Sequence, residues 1–297
     1  MRILVTGGAG QVGWELRRTL AIFGEVVAPP RDILDLASAD SIVAAVRGIR
    51  PGLIVNAAAY TAVDQAESDS DRAMKINGEA PRILAEEAAL RNAALIHYST
   101  DYVFDGRKVE PYREDDEVAP INVYGRTKLA GEQGVMASKA AHLIFRTSWV
   151  YGPRGRNFLL TMLRLGRERR ELKVVDDQFG APTSARLIAE ATAAVLGRSF
   201  AAEKFDCDRF RKMGGCYHLT AAGRTTWFGF AQAVLMGKEG MAKVLPIPTS
   251  AYPTPARRPR NSMLDNHKLE EQFGFSLPDW KVGLQLCIEE LTGWTEP

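Results

Sequence analysis

The sequence predicts an open α/β fold, a doubly wound parallel sheet with helices on both faces and a smaller C-terminal lobe. Three observations carry this. Short apolar runs alternate with helical stretches from residue 1 to about residue 150. A glycine-rich turn joins the first apolar run to the first helix. Past residue 150 the alternation yields to short runs and proline-rich connections.

Each element follows from local pattern. Met1–Thr6 (MRILVT) reads as the first strand, and Trp14–Phe23 as a helix stopped by Gly24 at a C′ position. Glu25–Ala28 is the second strand, Ser38–Arg50 a helix ended by Pro51, and Gly52–Ala58 the third strand. Asp64–Arg91 is Ala-rich with helical spacing and a break near Pro81. Ala94–Tyr98, Val123–Ser138 and His142–Trp149 continue strand, helix and strand. Leu172–Val175 and Cys216–Leu219 are later short strands, and Lys268–Phe273 and Lys281–Leu291 closing helices. Residues 246–260 carry five of the fifteen prolines and read as an ordered surface loop, excluded from any central strand.

Composition narrows the class. The 297 residues are long for one domain and short for two full ones. A net charge of +2 gives no bulk field to recruit nucleic acid or a membrane surface. The basic cluster Arg164–Arg170 reads as a solvated helix face. Cys207, Cys216 and Cys287 are odd in number and scattered, which argues against a disulfide framework. The histidines at 97, 142, 218 and 267 form no metal-ligand spacing with them. No apolar run approaches ~20 residues, and the chain enters a strand without a signal peptide, so a cytoplasmic protein is expected.

The chemistry begins at the first turn. Gly7, Gly10 and Gly13 lie between a strand and a helix, where they permit a tight turn and close backbone approach to a pyrophosphate at the helix N-terminus. Residues 1–150 are therefore read as a dinucleotide-binding domain and 151–297 mainly as a substrate-binding lobe, whose segments interleave with the first. The second strand ends in Ala28-Pro29-Pro30-Arg31-Asp32, with no acid on the strand to hold a ribose 2′-hydroxyl. Arg31 suits a 2′-phosphate, so NADPH is expected over NADH, with Asp32 as the counter-indication. Asp35 and Leu36 bracket the adenine or simply open a helix. The small residues of Asn56–Thr61 admit a ribose or serve helix–sheet packing.

Thr100 sits at the C-terminal end of a buried strand, where open α/β folds bind ligands. Tyr124 and Lys128 share one helix face four residues apart. A free Tyr titrates at about 10. A positive Lys128 and a bound nicotinamide would favour the phenolate and lower that value. Tyr124 would then donate a proton to a carbonyl oxygen that Thr100 fixes in place, while Lys128 holds the ribose. Arg257, Arg258 and Arg260 are either a phosphate grip or a solvated basic turn. Trp149 either packs on a sugar ring or belongs to the core.

The spacing Gly-x-x-Gly-x-x-Gly together with Tyr-x-x-x-Lys resembles the extended branch of the short-chain dehydrogenase/reductase superfamily, with its Rossmann-like fold. Six further stretches narrow this: NAAAYTAVDQAES (56–68), HYSTDYVFDG (97–106), RTSWVYG (146–152), QFGAPTS (178–184), YHLT (217–220) and PARRPRNSMLD (255–265). With them the chain resembles the dTDP-4-dehydrorhamnose reductase family over nearly its whole length. The resemblance implies reduction of the 4-keto group of a dTDP-linked 4-keto-deoxysugar by a nicotinamide cofactor, in dTDP-rhamnose synthesis. It makes Tyr124 the proton donor and Lys128 its partner, sets Thr100 and Asp101 against the sugar, and lines the sugar pocket with Trp149. It puts Gly10, Gln11, Val12, Asp35, Leu36, Ala59, Tyr60, Thr61 and Tyr98 at cofactor-contacting positions. Pro30 departs from the pattern where an acid or other polar residue is common. Some members bridge a homodimer through a metal such as Mg2+ held by glutamates. Glu15, facing out from the first helix, and Glu190 match those positions, with Glu289 or Glu290 as a third. Two rivals remain: a dehydratase or epimerase of the superfamily, and a non-catalytic subunit like the methionine adenosyltransferase beta subunit. Dehydratases carry a base Glu where this chain has Tyr102.

Overall fold

The computed structural model describes residues 1–201 and 204–292. Its centre is a parallel six-stranded sheet. The chain lays down β1 (Arg2–Thr6), α1 (Gln11–Thr19), β2 (Glu25–Val27), α2 (Ala39–Ile49) and β3 (Leu53–Asn56). Short helices α3 (Val63–Ala66) and α4 (Ser70–Met74) lead to α5 (Ala80–Leu90), then β4 (Ala94–Thr100), α6 (Val123–Ala137) and β5 (Ala141–Thr147). Helices α7 (Phe158–Glu168) and α8 (Ala185–Gly197) follow. The sheet order is Gly215–His218, β5, β4, β3, β1, β2. The chain winds outward from β1 in both directions, so the crevice for a ligand lies at the C-terminal ends of β1 and β3.

Alternation along the strands builds the two faces. Ile3, Val5, Leu53, Val55, Ile96, Leu143 and Phe145 pack against Leu16 and Leu20 of α1 and Ile188 and Val195 of α8. Leu4, Ile54, Leu95 and Ile144 pack on the opposite face against α2, α5 and Val135 of α6. A separate core gathers Tyr151, Leu159, Met162, Phe230, Trp280 and Leu284. The strand Gly215–His218 and the helix His267–Phe273 return from the second half to the main sheet.

Two expected elements differ. The helical stretch over Asp64–Arg91, expected to break once near Pro81, is divided further, into α3, α4, a π-helical turn at Lys75–Glu79, and α5. Pro81 has no N–H to continue the ladder, and the buried Asn77 side chain holds the backbone of Tyr60 on both sides, with N–H to Oδ1 at 2.8 Å and Nδ2 to carbonyl at 3.1 Å. The proline-rich segment begins inside a strand, Lys243–Ile247, paired in parallel with Glu171–Val175. A two-stranded edge ladder tolerates Pro246 because alternate backbone groups face outward. Among the described residues no helix is long and apolar enough to cross a membrane.

Candidate active site

The crevice opens on the turn after β1. Gly7 adopts φ +68°, and a Cβ there would lie 2.8 Å from the Ala58 backbone. A Cβ on Gly13 would sit 2.1 Å from the Gly7 carbonyl oxygen, so α1 can approach β1 this closely only with glycine at 13. Gly10 donates its N–H to the Gly7 carbonyl at 2.8 Å and begins α1 without a side-chain cap or a first-turn acid. The free N–H groups and positive end of α1 therefore face the crevice, and this cradle fits the pyrophosphate of a dinucleotide. Val12 is half-buried at this turn. Gln11 lies in the first turn, its Oε1 accepting from Asn157 Nδ2 at 2.9 Å, which ties the 152–157 loop over the turn.

The other expected cofactor residues divide. Arg31 is exposed beyond β2 and 3.7 Å from Asp35. Asp35 Oδ1 accepts the N–H of Ala37 at 3.0 Å, while Leu36 is buried in the sheet core. Ala59 and Tyr60 are half-buried past β3, Thr61 is exposed, and the Tyr60 hydroxyl donates to Asp69 at 3.0 Å. Tyr98 turns its ring into the core beneath α8, its hydroxyl 2.6 Å from Thr192 Oγ1. Only its carbonyl faces the site, and it accepts from Lys128.

Thr100, Asp101 and Tyr124 come together at the end of β4. Thr100 is buried and caps the turn Asp101–Val103; its hydroxyl donates to Asp101 Oδ1 at 3.0 Å. Among the described residues no hydrogen bond of good geometry reaches the buried Asp101 Oδ2. Burial lifts the Asp101 carboxyl to about 7, with Ser262 and Thr100 pulling the other way. Helix α6 is seated on this turn by glycine: a Cβ on Gly125 would lie 2.1 Å from the Tyr102 carbonyl oxygen, and one on Gly131 2.1 Å from that of Asn77. Asn122 caps α6 by accepting the Gly125 N–H at 2.7 Å, and its amide donates to the Arg257 carbonyl at 2.8 Å. Tyr124 stands edge-on to Tyr102 at 5.6 Å.

The charges around Tyr124 differ from expectation. Lys128 is anchored to β4: its Nζ donates to the Tyr98 carbonyl at 2.6 Å and lies 3.4 Å from His97 Nε2. Burial lowers Lys128 to about 8, with Glu132 opposing. Burial raises Tyr124 to about 12, the Asp101 charge adds to this, and the Thr100 hydroxyl opposes it. In the chain alone the expected lowering of Tyr124 is absent, and the side chain stays a phenol with its proton in place. The sequence reading missed Asn56, Asn77, His97 and Asn122, all buried polar residues that hold the machinery from behind.

On the far side of β4, Trp149 adopts φ +48° and stacks on Trp227 with ring centres 3.5 Å apart. A Cβ on Gly180 would strike its indole. Trp227 was not anticipated, since nothing in a local pattern pairs it with Trp149. Arg257 is exposed. Its neighbour Arg258 instead grips Asp64 of α3 through two hydrogen bonds of 2.7 and 3.0 Å, strapping the proline-rich loop to the first half. Asp64 is held below the usual carboxylate range chiefly by that Arg258 bond.

Glu15 does not face out. It is 3% exposed because α8 covers that side of α1, and it meets Arg186 at 3.5 Å. Arg186 also binds Glu290 at 3.0 Å, and its charge opposes the upward pull of burial on Glu190. A guanidinium therefore occupies the centre of these carboxylates. Among the described residues no group of three or more His, Cys, Asp or Glu is placed to hold a metal ion.

Comparison with known proteins gives the family. The RmlD substrate binding domain family matches residues 1–292. A dTDP-4-dehydrorhamnose reductase of Burkholderia thailandensis is 49% identical, over 98% of this chain and 99% of its own. The one from Escherichia coli K12 is 48% identical over 98% of both. Among solved structures, a dTDP-4-dehydrorhamnose reductase of Clostridium acetobutylicum superposes with a TM-score of 0.91 at 38% identity, covering 99% of this chain and 100% of that one. That of Bacillus anthracis, in complex with NADP, gives 0.87 at 35%, covering 97% and 99%. A Thermus thermophilus UDP-glucose 4-epimerase shares the fold, with a TM-score of 0.80 at 21% identity over 99% of both chains. By full-length family match and by identity near one half, the chain belongs to the dTDP-4-dehydrorhamnose reductase family.

Proposed function

We propose that this chain reduces the 4-keto group of dTDP-4-dehydro-L-rhamnose to give dTDP-L-rhamnose, with NADPH preferred over NADH. One observation carries the reading: Thr100 and Tyr124 meet at the end of β4, with Lys128 buried beside them. When bound, the nicotinamide supplies hydride. Tyr124 gives its phenolic proton to the carbonyl oxygen as the alkoxide develops. The Thr100 hydroxyl fixes that oxygen, and Asp101 offers its buried Oδ2 to a sugar hydroxyl. Lys128 orients the ribose and holds a positive charge below the phenol. Gly7, Gly10, Gln11, Val12 and Gly13 cradle the pyrophosphate, and Arg31, released from its exposed 3.7 Å pair with Asp35, takes the 2′-phosphate. The NADP in the Bacillus anthracis relative supports that preference.

The smaller body around Trp149, Trp227 and the Arg257–Arg260 loop is read as the substrate lobe, with Arg257 on the diphosphate. Tyr102 weighs against water elimination, because a phenol whose pKa is pushed up by desolvation and the Asp101 charge does not serve as base. The test is stoichiometric. With the keto-sugar nucleotide, one NADPH is consumed per sugar reduced. An epimerase would turn over with no net consumption, and a regulatory subunit would not turn over. A kcat/KM favouring NADH would overturn the cofactor preference.

A further inference from the structure

We propose that His97 is a positioning residue for Lys128, set by a hydrogen-bonded row that crosses the sheet from the glycine turn. Thr6, Asn56 and His97 are register partners on β1, β3 and β4. Two residues earlier, the same face of these strands carries Leu4, Ile54 and Leu95 in an apolar core. At the C-terminal edge the row turns polar while staying buried: Thr6 and Asn56 are 1% exposed, His97 0% and Lys128 2%. Burying three polar side chains costs free energy unless each is partnered. Here each is. Thr6 Oγ1 lies 2.6 Å from Asn56 Oδ1 and accepts the Ala58 N–H at 3.2 Å. Asn56 Nδ2 lies 3.0 Å from His97 Nδ1, and His97 Nε2 3.4 Å from Lys128 Nζ.

The row can run in either sense. A hydroxyl donates or accepts, an amide turned over exchanges its ends, and a neutral imidazole has one donor and one acceptor. Facing an ammonium, His97 Nε2 accepts, Nδ1–H donates to the Asn56 oxygen, and the Asn56 amide donates to Thr6. Facing a neutral amine, each link reverses, and the Asn56 orientation in the structure is of this second kind. Both protonation states of Lys128 thus meet a matched partner at His97 Nε2.

The imidazole stays neutral throughout, since burial and the Lys128 charge both hold it far below its usual range. The other groups near Lys128 are Tyr124 and Glu132 on α6, Asp101 after β4, and Arg146 on β5, which neutralises Glu132 at 2.7 Å. On the segments packed against the outer side of α6, Lys75, Glu79 and Arg82 are exposed. His97 Nε2 lies 3.4 Å from Lys128 Nζ, and by exchanging tautomers it changes from acceptor to donor without changing charge.

The inference rests on the reductase reading, and its test is separable from it. With NADPH and the keto-sugar, His97→Leu is expected to lower kcat at least ~10-fold and to move the alkaline limb of the pH profile down by about one unit, since a buried charge loses one hydrogen bond. KM should stay within about 3-fold. His97→Gln, whose amide presents either an oxygen or an N–H, should restore both. A wild-type profile in His97→Leu, or equal impairment in His97→Gln, would overturn the proposal. A second measurement needs no substrate. In free enzyme labelled with 15N-histidine, the His97 ring should stay neutral and change tautomer as Lys128 titrates near pH 8. A fixed tautomer, or a ring that charges near the ordinary pH of about 6.5, would contradict it. Absence of turnover in the wild type would instead sink the reductase reading and leave the spectra to decide on His97.

Discussion

The two sides of the β4 edge are built by different means. The side bearing the glycine turn is regular. Adjacent strands of one sheet supply Thr6, Asn56 and His97, and glycines let backbone touch backbone at Gly13 and Gly125. The side bearing Trp149 is assembled from segments far apart in the chain. Trp149 is held in a left-handed conformation against Trp227, and the loop bearing Arg257 is tied down by Arg258–Asp64 and Asn122. Close packing makes the first side intolerant of single-atom changes. The second is adjustable, since its contacts are longer side chains at a partly exposed rim.

Substitutions on the two sides should therefore fail differently. The largest expected effect is at their junction. Tyr124→Phe should lose about 10²–10⁴-fold in kcat, as general acid catalysis is removed, with the thermal midpoint unchanged; retained turnover would reject the role. Next, on the regular side, Glu132→Gln leaves Arg146 as a buried unpaired charge. That should cost about 3–5 kcal/mol of stability, read as a lower urea midpoint. A loss under ~1 kcal/mol, the scale of a surface pair, would show that α6 is not held there.

The third concerns Asp101, whose carboxyl is raised by burial to about 7. Between its ordinary value and 7 the folded state keeps a proton that the unfolded state releases, so stability falls as pH rises through that window. Asp101→Asn should lack this fall, a difference of up to about 4 kcal/mol for three units. His218, held near 3 by burial and Arg146, acts in the opposite sense and loses stability as pH falls below its ordinary value. The comparison is therefore between wild type and variant at each pH, and parallel curves would contradict the assignment. Smallest is Arg258→Ala on the rim. The pair is partly exposed, so stability should change by less than ~1 kcal/mol, while KM for the sugar nucleotide rises several-fold as the loop loosens. A large loss of stability with unchanged KM would reverse the contrast between the two sides.

What could be read in the sequence follows the same division. Apolar alternation located the strands of the main sheet, and strand–glycine–helix order located the crevice, because both signals are local. Tyr124 and Lys128 were legible because helical spacing puts them on one face. The partners of Lys128 were harder. Thr6, Asn56 and His97 each end an apolar strand with a polar residue, a signal visible only once the strands are placed in register. Glu15 was misplaced because its helix periodicity cannot show that α8, some 170 residues later, covers it. Trp227 and the choice of Arg258 over Arg257 as the strap depend on loop paths that no periodicity encodes.

The Thr100–Tyr124 clamp is proposed to deliver a proton to a sugar carbonyl that receives hydride. Turnover with NADPH deuterated at the transferring position tests it most directly, with the sugar product examined by NMR. One deuterium at C4 of the sugar, with one cofactor oxidised per product, is the expected result. Product free of deuterium, deuterium at another carbon, or no cofactor oxidised would contradict it.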